Sequence, residues 1–125
     1  MYNVLLVALG GGLGAALRHG VNLVALRLLG PNFPWGTFTI NIAGSLAMGI
    51  FIELLARRFS GSEGLRLFVA TGILGGFTTF SAFSLDFAVL WQRGEVFPAL
   101  LYALGSVIVS IVALFLGLWL ARSFS

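Results

Sequence analysis

Long apolar runs alternate with short polar interruptions along this chain, and the interruptions leave four segments of membrane-crossing length. The first run covers about 3–29 and is broken by Gly30, Pro31, Asn32 and Pro34. The second, about 35–57, ends at Arg57–Arg58, and the polar stretch Ser60–Gly61–Ser62–Glu63–Gly64 then reads as a turn. The third covers about 66–91 and the fourth about 97–121, separated by Gln92–Arg93–Gly94–Glu95. A bilayer core of about 30 Å needs roughly 20 apolar helical residues. Four such spans with short loops use up nearly all of the 125 residues. The pattern predicts an all-α membrane protein of four helices, a single domain over 1–125 with no separate soluble unit. Nothing positive but the amino terminus precedes the first run, so no cleaved signal peptide is expected.

Composition sharpens this picture. Hydrophobic residues make up 59% and charged residues 9% of the chain, against about a quarter charged in soluble domains. So short and apolar a chain could not cover a core with polar surface. Cysteine is absent, which excludes disulfides and cysteine–metal sites. The net charge of +3 comes from arginine alone, and the arginines fall mostly near span ends, as interfacial anchors do; no nucleic-acid partner is implied. Arg57, Arg58, Arg66 and Arg122 lie on the side of the termini, Arg27 and Arg93 on the other. That bias is weak, and permits insertion in both directions and hence an antiparallel homodimer.

Glycines sit inside the spans. Gly10 and Gly14, and Gly72 and Gly76, are four apart, and Ala113, Gly117 and Ala121 repeat small residues at the same spacing. Such positions let membrane helices approach closely, because packing replaces the hydrophobic drive that lipid removes.

The polar residues kept in the membrane carry the candidate chemistry, since unpartnered polar groups in hydrocarbon are costly. Thr37, Asn41 and Ser45 form one stripe on the second span, and Tyr102, Ser106 and Ser110 form another on the fourth. Spacing by four keeps each set on one helix face. A lone hydroxyl is equally explained by interhelical hydrogen bonding; two matching uncharged stripes point to a pathway. The third span holds Gly75–Gly76–Phe77–Thr78–Thr79–Phe80–Ser81–Ala82–Phe83–Ser84. Paired glycines and a hydroxyl run make poor helix, so a broken third helix is predicted. Carbonyls freed there could hold a cation. Phe80 and Phe83 share a face, and the positive edges of their rings could meet an anion without a fixed charge; simple packing would explain the same pair.

Four ionisable residues lie within or just inside spans. Arg18 is mid-span and could snorkel to an aqueous vestibule, raising the local anion concentration. Glu53 and Asp86 read as interfacial residues, and His19 as a packed or interfacial side chain with no second histidine to share a metal. Gly10–Gly11–Gly12–Leu13–Gly14 mimics a dinucleotide-binding turn, but that site needs a soluble sheet and an acid about 20 residues on. The first acid here is Glu53. No nucleophile–base pair, carboxylate dyad or Walker loop is present, so no enzyme is expected.

Three motifs together resemble the microbial fluoride channel family, Fluc or CrcB. They are Gly14–Ala15–Ala16–Leu17–Arg18, Gly36–Thr37 through Asn41 to Gly44–Ser45, and Gly75 through Ser84. The resemblance spans the full chain and departs from the family pattern at His19, Ala82 and Asp86. It implies a dual-topology antiparallel homodimer in a bacterial or archaeal plasma membrane, with two pores, each built from both subunits. Asn41, Phe80, Phe83, Tyr102, Ser106 and Ser110, with Thr37, would line the fluoride pathway, and Arg18 the vestibule. Backbone carbonyls of Gly75 and Thr78 from both subunits would hold a structural Na+ at the dimer centre. Hydrogen fluoride enters cells as the weak acid and ionises, and a passive channel lets the anion leave. A small multidrug-type exporter, the rival of similar size, needs a carboxylate where the first span carries Arg18. A purely structural subunit would leave the two stripes unexplained.

Overall fold

The computed structural model describes residues 2–58 and 61–124; Ser60 of the expected turn lies outside them. Among the described residues four helical spans are long and apolar enough to cross a membrane. They are α1 (Tyr2–Leu29), α2 (Trp35–Arg58), a composite third span within Glu63–Gln92, and α6 (Val96–Phe124). The third span begins with α3 (Glu63–Leu65), widens into a π-helical stretch Arg66–Leu74, and continues as α4 (Gly75–Phe77) and α5 (Ser81–Gln92). The expectation of an all-α, four-span membrane fold therefore holds, and the boundaries differ from the sequence reading mainly at two ends. The third span starts three residues early because the Ser62 hydroxyl accepts the Leu65 N–H at 3.3 Å, satisfying a free donor of the first turn. The fourth runs on to Phe124.

Tight links join α1 to α2 and the third span to α6. Gly30 ends α1 at φ 81°, and Gly94 closes the last turn at φ 83°, both in the left-handed region that side chains disfavour. Most large apolar side chains point outward: Val4, Leu9, Leu28 and Phe115 are all more than half exposed. That inversion of a soluble fold is what lipid as the outer solvent allows.

Inside, the spans pack as two parallel pairs, α1 with the third span and α2 with α6. The glycines set both contacts. A Cβ added at Gly14 would stand 2.0 Å from the Ile73 carbonyl oxygen, and one at Gly10 2.3 Å from that of Phe68. On the other pair, a Cβ at Gly49 would meet the Leu114 oxygen at 2.1 Å, and one at Gly117 the Leu46 oxygen at 2.3 Å. Backbone lies on backbone at these points, so the small-residue spacing in the sequence has its packing explanation. Near the end away from the termini, Leu90, Ala99 and Tyr102 form a fully buried cluster flanked by Phe33, Phe38, Phe83 and Phe87. At the other end the Glu53 carboxylate joins α2 to α6 through Arg122.

Candidate functional site

Asn41 organises the middle of the bundle. Helical structure in the third span stops at Phe77, Thr78 is extended (φ −83°, ψ 158°), and helix resumes at Ser81. Asn41, projecting from α2, meets this segment with both ends of its amide. Its Nδ2 donates to the Thr79 carbonyl oxygen at 3.2 Å, and its Oδ1 accepts the Thr79 N–H at 3.0 Å. The Thr79 hydroxyl in turn accepts the Ala82 N–H at 3.1 Å and so starts α5.

These bonds have a consequence for two carbonyls. In a continuous α-helix the Thr79 N–H would donate to Gly75 O and the Ala82 N–H to Thr78 O. Here Asn41 takes the first donor and the Thr79 hydroxyl takes the second. The break leaves the carbonyls of Gly75 through Thr78 without their helical donors, and the two residues expected from sequence to be cation ligands are the first and last of these four. The Thr78 side chain stays local, donating to Leu74 O at 3.0 Å beside its own backbone N–H.

A cavity of about 510 Å³ opens against this segment. Asn41 and Ser45 line it from α2, Gly75, Thr78, Phe80 and Phe83 from the third span, and Ser106 and Ser110 from α6. Among the described residues no charged side chain lines it. The Ser106 and Ser110 hydroxyl oxygens are buried and have no hydrogen-bond partner among the described residues. Such groups are costly unless something supplies an acceptor or donor. The Phe80 and Phe83 rings stand 5.7 Å apart at an interplanar angle of 43°. Phe80 is 77% exposed, so a single chain leaves this side of the cavity open.

Tyr102 and Thr37 are placed elsewhere. Tyr102 is fully buried, packed against Phe33, Phe38 and Phe83 at 5.0–6.3 Å between ring centres. Its hydroxyl donates to Asp86 Oδ2 at 3.1 Å and does not line the large cavity. Asp86, expected to be an interfacial residue, is half-buried with this tyrosine as its partner. With Thr37, Asn22 and Arg93 it lines a second cavity of about 370 Å³ beneath the Gly30–Pro34 link. The α2 stripe therefore runs from one cavity to the other, while the α6 stripe lines only the large cavity and ends at Tyr102, which lines neither. Arg18 is half-buried, lies one turn from Gly14 and from Asn22 on α1, and lines neither cavity. His19 is exposed.

Sequence reading missed Thr79 and undervalued Asp86. Thr79 stood inside the third-span motif, yet nothing in the spacing says that its backbone meets Asn41, 38 positions away. Asp86 carried only the general signal of an acid close to an apolar span.

A family model described as CrcB-like protein, Camphor Resistance (CrcB), matches residues 5–118. A protein of Mesorhizobium japonicum named fluoride-specific ion channel FluC is 70% identical over 98% of both chains. Proteins of the same name from a Chelativorans species and from Agrobacterium fabrum are 61% and 51% identical, again over 98% of both chains. The chain belongs to the CrcB family. Within that family its four apolar helices make it a multi-pass membrane protein.

Proposed function

We propose that this protein is a passive fluoride-selective channel that lets fluoride leave the cytoplasm, acting as an antiparallel homodimer with two pores in a bacterial or archaeal plasma membrane. The observation that carries the reading is the large cavity. Neutral donors from Asn41, Ser45, Ser106 and Ser110 line it beside two phenyl rings, and no charge does.

Fluoride is small, strongly hydrated and a strong hydrogen-bond acceptor, so a pore must replace its lost water with donors. The orphaned Ser106 and Ser110 hydroxyls lack an acceptor, which the passing anion supplies. The second Nδ2 proton of Asn41 is left over after the bond to Thr79. The edges of Phe80 and Phe83 add weak positive potential without a fixed charge. Conduction needs binding strong enough to admit the ion and weak enough to release it, and neutral donors meet both demands. Relatives of the chain are named ion channels rather than enzymes, and they are named for this ion.

Exposure of Phe80 and Gly75 on the open side of the cavity supports a second copy as the missing wall. The same face supports a structural Na+. The carbonyls of Gly75 and Thr78 are oxygen donors relieved of helical bonds, the ligand type a hard monovalent cation takes at an interrupted helix. Two copies would double the number of oxygens. The ion would tie the two third spans together, and the anion path stays with the side-chain donors. Asp86 lines the second cavity and fixes the Tyr102 hydroxyl, and its charge sets the field an anion meets there.

Expression in bacteria that lack their own fluoride export is the cellular test. Restored growth in fluoride medium, lost with Asn41→Ala, is the expected result; growth no better than with empty vector would refute export.

A further inference from the structure

At the end of the bundle that carries the termini lies an ionic cluster with no part in the anion path. Glu53 is one helical turn before Arg57 on α2, and its side chain is only 14% exposed. One carboxylate oxygen accepts Arg57 Nε, and the other accepts Arg122 Nη2 from α6 at 3.1 Å. Two guanidinium groups thus share one carboxylate, one on each oxygen, and the cluster is net positive. Arg58 beside it adds a further charge at the end of α2.

Both guanidinium groups keep N–H donors beyond those given to Glu53, and their side chains are 42% and 58% exposed. The direction they face is marked by Trp119, three residues before Arg122 on α6 and 59% exposed. Residues three apart neighbour each other on a helix surface, and indoles at span ends settle at headgroup level. The outward side of the cluster is therefore the polar edge of the bilayer. A carboxylate holding two planar forks in place removes much of the disorder cost of binding, and such forks match tetrahedral phosphate oxygens. At the opposite end Arg93 stands 3.9 Å from Glu95 on the adjoining link, and among the described residues no second arginine shares that carboxylate.

We propose that Arg57 and Arg122, held by Glu53, bind the phosphate of an anionic phospholipid headgroup, with Arg58 adding attraction. A zwitterionic lipid offers the same phosphate with an ammonium beside it, and is bound less well.

The test reconstitutes the full chain in bilayers containing trace spin-labelled phosphatidylglycerol or phosphatidylcholine and measures the protein-restricted fraction of each. Wild type is expected to favour phosphatidylglycerol several-fold. Arg57→Gln with Arg122→Gln should bring the two lipids to parity, while Arg27→Gln with Arg93→Gln keeps the preference. If the first double variant fails to fold, Arg122→Gln alone should still lower the preference. Added inorganic phosphate is expected to leave the preference intact. If phosphate abolishes it, the site takes a soluble anion and the lipid assignment falls. Equal association of wild type with both lipids, or an unchanged preference in the Arg122 variant, would also overturn it.

Discussion

Asn41 and Thr79 exchange two hydrogen bonds across 38 positions of sequence, at 3.2 and 3.0 Å. One amide thereby replaces a missing turn of helix: it satisfies the backbone of Thr79 in the apolar interior and leaves the Gly75 carbonyl without its donor. Asn41→Ala removes both bonds and strands a partly buried N–H and C=O. The expected loss is about 1–3 kcal/mol of stability, seen as a lower unfolding temperature in detergent. Fluoride flux in liposomes should fall at least about tenfold, equal to about 1.4 kcal/mol in barrier. Wild-type flux in Asn41→Ala would place the path elsewhere.

Phe80 tests the ring edges separately from bulk. Phe80→Leu keeps an apolar side chain and removes the ring. It should lower fluoride flux by about tenfold or more while the oligomeric size, measured by light scattering in detergent, stays that of wild type. Unaltered flux would reduce the pair to packing.

The Tyr102–Asp86 bond predicts unequal partners. Tyr102→Phe deletes the donor and leaves the half-buried carboxylate without it, costing about 1–3 kcal/mol and slowing flux. Asp86→Asn keeps an acceptor for the hydroxyl, so its stability should stay nearer wild type. Melting curves for the two variants decide the order; equal losses would show that the bond contributes nothing particular.

Much of the fold was legible because a membrane imposes simple demands on sequence. Runs bounded by Pro31, Pro34, Gly61 and Gly94 marked the spans, and the spacing of Gly10, Gly14 and Gly117 marked the contacts. The stripes on α2 and α6 also showed, since spacing by four survives as a helix face. What did not show was pairing between distant groups. Periodicity could not reveal that Asn41 is spent partly on Thr79, or that Tyr102 turns to Asp86 and out of the large cavity. Nor did it reveal the π-helical stretch Arg66–Leu74, whose apolar residues read equally well as ordinary α-helix.

The proposed Na+ carries a prediction of its own. If Na+ is held by the Gly75 and Thr78 carbonyls of two copies, its replacement by a bulky organic cation should weaken the dimer. Protein purified without sodium is then expected to shift toward monomer or to lose flux, with recovery on adding Na+. Full assembly and flux after exhaustive removal of sodium would exclude the ion from the structure.

Selective flux separates a fluoride pore from any other pathway through the protein. Liposomes bearing the protein are loaded with potassium fluoride or potassium chloride, valinomycin is added to balance charge, and efflux is followed with an ion-selective electrode. Rapid fluoride release with chloride held back is the expected result. No fluoride release, or chloride leaving as fast as fluoride, would contradict it.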